Sequence, residues 1–153
     1  MVLVVFMVIL VVALAFYFKF SMSSVDSTLE SACMTSNTVL LLSITGMPEI
    51  ECSENSKTKD CVDTTKLLVF DPSREYGNYF QTICQQKVYF EDVYPEKPEV
   101  VCDQGTYPDC NVYSFYDPEV ESSSSIVIST PVSLYYPLTD DYSVGRLVVE
   151  VLS

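Results

Sequence analysis

Histidine is missing from all 153 residues, and so is tryptophan. Histidine is the usual general base near neutral pH and a common metal ligand. Without it no Ser–His–Asp or Cys–His site can be built. Glycine is scarce too, with four residues at Gly46, Gly77, Gly105 and Gly145. None falls in a phosphate-cradling loop or a dinucleotide fingerprint. The third shortage is positive charge: eight Lys and Arg stand against 21 Asp and Glu, a net charge of −13. Acids recur in clusters, at Glu49 and Glu51, Glu91 and Asp92, Glu119 and Glu121, and Asp140 and Asp141. Such a surface repels phosphate backbones, so nucleic acid is not an expected partner. There is no CxxC pair for zinc, and the acids lack calcium-loop spacing. Two carboxylates could flank a glycosidic bond, but among 21 acids some pair always looks suggestive. The expectation is a non-enzyme with no cofactor and no metal.

What the chain does have begins at residue 1. The run MVLVVFMVILVVALAFYF carries no charge, proline or glycine before Lys19. A helix rises about 1.5 Å per residue, so 18 to 20 residues match the ~30 Å hydrocarbon core of a bilayer. In lipid the backbone must satisfy its own hydrogen bonds, which requires a helix despite the many valines. A secretory signal is the rival reading, with Ala13-Leu14-Ala15 as its small-x-small cleavage site. A signal normally opens with basic residues, and none precedes this run, so an uncleaved transmembrane anchor over residues 1–20 is preferred. Residues 21–37 then form a juxtamembrane stretch with a short helix from the Ser27-Thr28-Leu29-Glu30 capping box.

Residues 38–153 are enough for one domain with its own core. Six cysteines, Cys33, Cys52, Cys61, Cys84, Cys102 and Cys110, all lie after the hydrophobic run. An even count on an anchored domain points to disulfides, with fifteen possible pairings. Cys52–Cys61 and Cys102–Cys110 close short polar loops and are the natural pairs, which leaves Cys33 and Cys84. Disulfides favour a non-cytosolic domain, whereas the lone Lys19 points the other way by the positive-inside rule. Asn37, Asn55, Asn78 and Asn111 all fail the glycosylation pattern.

Along the domain, residues 38–45 (TVLLLSIT), 66–70 (KLLVF), 87–94, 100–102, 112–116, 126–129, 132–136 and 144–152 read as strands. Residues 49–65 read as a loop, and 72–86 as a helix opened by Asp71-Pro72. Ser122 to Ser125 reads as a flexible connection. The fold class expected is an N-terminal transmembrane helix plus a mainly-β, antiparallel sandwich or barrel-like domain with one or two short helices.

Eleven tyrosines are the most suggestive abundance. Tyrosine suits half-buried strands and also protein interfaces. Tyr113, Tyr116, Tyr135, Tyr136 and Tyr142 are the interface candidates. The last strand either closes its own sheet or adds to a neighbour's, and the first is preferred. These features describe a single-pass structural protein that docks onto other proteins and ties them to a lipid bilayer. A minor capsid or membrane component of a membrane-containing virion is one setting that fits. The alternative is an anchored receptor or adhesion-type binding module. Non-reducing peptide mapping of the native protein is expected to return Cys52 joined to Cys61 and Cys102 joined to Cys110. Free thiols at these positions contradict the reading.

Overall fold

A computed structural model gives the fold and describes residues 2–54, 57–80, 84–118, 120 and 124–152. Glu119, Glu121, Ser122 and Ser123 of the serine run and residues 81–83 of the expected second helix lie outside the described residues. The chain divides into two compact units, Met1–Ser36 and Asn37–Ser153. Helix α1, Val2–Thr45, makes up the first unit and ends inside the second. In the first unit the large apolar side chains between Val4 and Phe18 are exposed, with Phe6 at 64% and Phe16 at 72%. Among the described residues no helix is long and apolar enough to cross a membrane. The expected helix is present; a membrane span is not shown.

Residues 38–45, expected as a strand, are the last turns of α1. Asn37, Leu40, Leu41 and Ile44 are all buried, and their spacing of three and four puts them on one helical stripe. Ser43 and Thr45 satisfy their hydroxyls on the helix itself, donating to the carbonyls of Val39 at 2.9 Å and Leu42 at 3.1 Å. A short apolar run does not reveal its period, and here the buried stripe decided it.

The expected loop at 49–65 holds a hairpin instead. Strands β1 (Glu51–Glu54) and β2 (Lys57–Asp63) pair antiparallel, and Cys52–Cys61 staples them with Cα atoms 5.4 Å apart. Helix α2 (Thr64–Val69) replaces the strand expected at 66–70. Its cause is Asp63, whose carboxylate accepts from the N–H groups of Thr65 at 2.9 Å and Lys66 at 3.2 Å and so caps the helix. Helix α3 (Pro72–Phe80) starts as expected, with Asp71 accepting from the Ser73 N–H at 3.0 Å. Its backbone leaves the helical region at Tyr76.

Four longer strands complete the fold: β3 (Gln85–Tyr94), β4 (Val112–Tyr116), β5 (Ser125–Tyr136) and β6 (Asp141–Leu152). The two segments expected at 126–129 and 132–136 are one strand running through Pro131. The expected mainly-β domain, read as a sandwich or barrel-like, is a half-barrel: a single six-stranded sheet in the order β1-β2-β5-β6-β3-β4. Every pairing between these strands is antiparallel except β2 with β5, which is parallel and covers only Val62 with Leu134 and Asp63 with Tyr135. The terminal strand β6 closes the sheet of its own domain, zipped between β5 and β3.

Side chains alternate across the pleat. Val88 and Phe90 of β3, Leu147, Val149 and Val151 of β6, Leu134 of β5 and Tyr113 and Phe115 of β4 are buried. Phe115 is the centre of an aromatic group, with ring centroids 5.8 Å from Phe70, 5.9 Å from Phe80 and 5.6 Å from Phe90. This group holds α2 and α3 against the sheet.

Gly145 sits on β6 opposite both Asp92 and Val132. A Cβ there would lie 2.6 Å from Leu134 Cδ1 and 2.8 Å from the Glu91 carbonyl oxygen. The carbonyl is fixed in the β3 ladder, so the clash cannot be relieved by a side-chain move alone. Gly145→Ala is expected to cost about 1–3 kcal/mol by overpacking. Urea unfolding should show a lower midpoint with an unchanged slope.

Candidate functional site

A buried polar cluster in the second unit centres on Asp92. Strand alternation turns Asp92 into the apolar face, and its side chain is fully buried. One of its oxygens, Oδ2, accepts from the Tyr136 hydroxyl at 2.7 Å and faces Lys97 Nζ at 3.0 Å. The Tyr113 hydroxyl in turn donates to the Tyr136 oxygen at 3.1 Å. Lys97 also lies 3.9 Å above the Tyr136 ring and donates to the Pro108 carbonyl at 3.2 Å. Tyr107 stacks on Tyr136 with centroids 6.0 Å apart. Thr64, fully buried, donates to the Tyr135 carbonyl at 2.9 Å, so the Tyr107 hydroxyl is the donor in their 3.0 Å contact.

The loop carrying Lys97, Tyr107 and Pro108 is itself tightly bonded. Cys102–Cys110 closes the part that carries Tyr107 and Pro108, with Cα atoms 5.2 Å apart. The Asn111 side chain accepts from the Val100 N–H at 3.0 Å, and Cys102 N–H donates to the Val112 carbonyl at 2.7 Å. Asp103 accepts from the N–H groups of Gly105 and Thr106 at 2.7 and 2.9 Å. The Thr106 and Gly105 amides hold its carboxyl below the ordinary aspartate value.

This chemistry is directed inward. Burial pushes the Tyr113 phenol up to about 12, and it pushes Tyr136 up as well, aided by the hydrogen bonds with Tyr113 and Asp92. Phenols of that kind stay neutral and serve as donors. Tyr113, Tyr136 and Asp92 are 2%, 5% and 3% exposed. The cluster locks the disulfide loop to the sheet.

A second feature is a cleft of about 380 Å³ where β2 parts from β5. Asp60, Cys61 and Val62 line one side, Thr130 to Ser133 the other, and Leu42 and Thr45 of α1 contribute too. The parallel ladder ends with Val62 on Leu134, and Pro131, which has no N–H to offer a neighbouring strand, lies three residues further along β5 within the cleft wall.

Of the tyrosines read as contact residues, Tyr113 and Tyr136 are interior, Tyr116 and Tyr135 are half-buried and Tyr142 is exposed. Tyr142 packs on Tyr135 at 4.9 Å, and the Tyr135 hydroxyl donates to Asp140 at 2.9 Å. Tyr116 stacks on Phe80 at 5.0 Å. The expected disulfides Cys52–Cys61 and Cys102–Cys110 are formed, Cys33 and Cys84 are also disulfide-bonded, and no cysteine is free. Among the described residues no group of acids and cysteines could hold a metal ion.

The Asp92–Lys97 pair was missed by sequence reading. Its signal was faint: Lys97 is the only basic residue between Lys87 and Arg146. Comparison with known proteins finds no matching family, no matching characterised protein and no matching solved structure.

The raised tyrosines set an alkaline limit. An unfolded tyrosine ionises near pH 10, whereas folded Tyr113 holds its proton to about 12. Their contribution is therefore complete below pH 10 and is lost as pH rises above it. The loss is up to about 1.4 kcal/mol per pH unit for each tyrosine. Tyr136→Phe is expected to cost about 1–3 kcal/mol at neutral pH, because Asp92 keeps only Lys97. The same variant should flatten the alkaline fall, measured as the urea midpoint from pH 8 to 11.5.

Proposed function

We propose that the chain is a non-enzymatic, membrane-anchored structural protein, which docks onto other proteins and ties them to a bilayer. The observation that carries this reading is the apolar stretch of α1. Its large side chains from Val4 to Phe18 are exposed on every side of the helix. An apolar surface of that extent, ended by a lysine, is stable in lipid and costly in water. The folded unit supports the rest. Its polar cluster is spent on holding a loop, its disulfides staple two surface segments, and its net charge keeps it off anionic surfaces. A minor protein of a membrane-containing virion, joining membrane to shell, is the setting these traits fit best.

A second reading, an anchored receptor or adhesion module, is favoured by one observation. The cleft between β2 and β5 has the volume of a small-ligand site.

The anchor is tested on the full chain expressed in cells. The protein is expected to stay with the membrane pellet after an alkaline carbonate wash. Arginines in place of Val8 and Val12 should release it, since each costs about 2.5–3.5 kcal/mol at the centre of a spanning helix. A wild-type chain found in the supernatant, or an arginine variant that stays in the pellet, sinks the reading.

A further inference from the structure

Strand β5 pairs with β6 along its whole length, from Ser125 with Leu152 to Tyr136 with Asp141, without a bulge. On its other side β2 reaches only Leu134 and Tyr135. The first half of β5 therefore presents an open edge. The direction of its backbone groups follows from two residues. The Tyr135 carbonyl accepts from Thr64, on the side away from β6. Pro131 has no N–H and so cannot stand at a position that bonds β6. Both positions are odd, and in an antiparallel ladder the bonding direction alternates by residue. The N–H and C=O groups of Ser125, Val127 and Ser129 therefore point outward. No backbone bond beyond the β6 ladder engages them among the described residues. Ser125 and Ser129 are exposed, Ile126 is 36% exposed and Val127 56%.

This edge differs from the sheet's others. Strand β1 has four residues, and β4 has five with Val101 bridged to its end. Natural sheets also blunt an edge with charge or a bulge. Residues 122–138 contain no charged side chain at all, in a chain of net charge −13. Pro131 alone limits the edge, and only at its far end.

We propose that this edge binds a second copy of the chain, β5 against β5, antiparallel about a two-fold axis at Val127. In that register Val127 faces Val127 of the other copy, and Ser125 faces Ser129. All three positions use their outward groups, and Pro131 is left outside the paired stretch. A register shifted by one residue sets Ser125 against Pro131 and loses a donor. An uncharged edge pairs without burying a charge only against another uncharged strand, and a second copy supplies one. Two copies repel over the acidic surface, but the nearest acid across the ladder is Glu150, paired with Val127 one strand inward. The two Glu150 side chains end up about three strand spacings apart, ~14 Å. That exceeds the ~8 Å screening length at physiological ionic strength. A basic partner, which the rest of the surface would attract, gains nothing at an uncharged edge. The pairing stands whether or not residues 1–20 meet a membrane.

The test uses the full chain in detergent micelles. Val127→Cys places each new thiol opposite its copy, at the ~5.5 Å Cα separation that suits a disulfide. Ser129→Cys places the two thiols more than about 13 Å apart. Mild oxidation should give a disulfide-linked dimer from Val127→Cys and none from Ser129→Cys, read by non-reducing gel and peptide mapping. Val127→Lys, at an exposed position, should keep the circular-dichroism spectrum and convert the dimer to monomer by light scattering. No disulfide in Val127→Cys, equal linking in both variants, or linking only to a different protein overturns the proposal.

Discussion

The folded unit depends on the two-sided ladder of β6. This strand bonds β5 over its full length and β3 from Val144 to Leu152. Its buried side chains, Leu147, Val148, Val149 and Val151, run as a nearly continuous apolar block, as a strand covered on both faces must. The remaining elements attach to β3 or β5. β4 pairs with β3, the stapled hairpin meets β5 at its end, and the two short helices pack through Phe115. Gly145 marks the tightest point, where Leu134 occupies the space a side chain would need.

The ladder also explains the buried charge. Alternation along β3 gives Val88 and Phe90 to the core and must give Asp92 the same face. A buried carboxylate is costly unless it is paired and hydrogen-bonded. Lys97 and Tyr136, both drawn from outside β3, offset that cost at Oδ2, while Oδ1 has no partner among the described residues. The price is geometric: Lys97 reaches Asp92 only if its loop folds back over the sheet, where Tyr107 and Pro108 join the same cluster. These polar groups together hold the loop on the sheet.

The outside of the domain follows a different rule. Acidic residues spread over most of the surface, and several are balanced locally, as in Arg146 with Glu91 at 2.7 Å and Lys87 with Asp117 at 2.6 Å. The first half of β5 has no such pairs because it has no charges. Its backbone edge and the exposed apolar side chains of α1 from Val4 to Phe18 are the two uncharged surfaces in an otherwise acidic chain.

Several features were fixed by local sequence. The apolar helix at the N-terminus, the Asp71-Pro72 helix start, strands β3, β4 and β6 and the two short-range disulfides all arise from residues close together in the chain, so patterns and spacings reveal them. Other features needed the fold. Residues 38–45 and 66–70 are apolar runs too short to show a period, and burial of one stripe and the Asp63 cap made them helices. The hairpin at 51–63 is polar, so no hydrophobic alternation announced it; its disulfide and pairing define it. The joining of Asp92 with Tyr136 crosses 44 residues, and the open edge of β5 follows from β2 pairing with Leu134 and Tyr135 alone. Local spacing determines which turns, caps and strands can form. Which polar groups end up buried together, and which edge stays open, is decided only when distant segments pack and compete for the same partners.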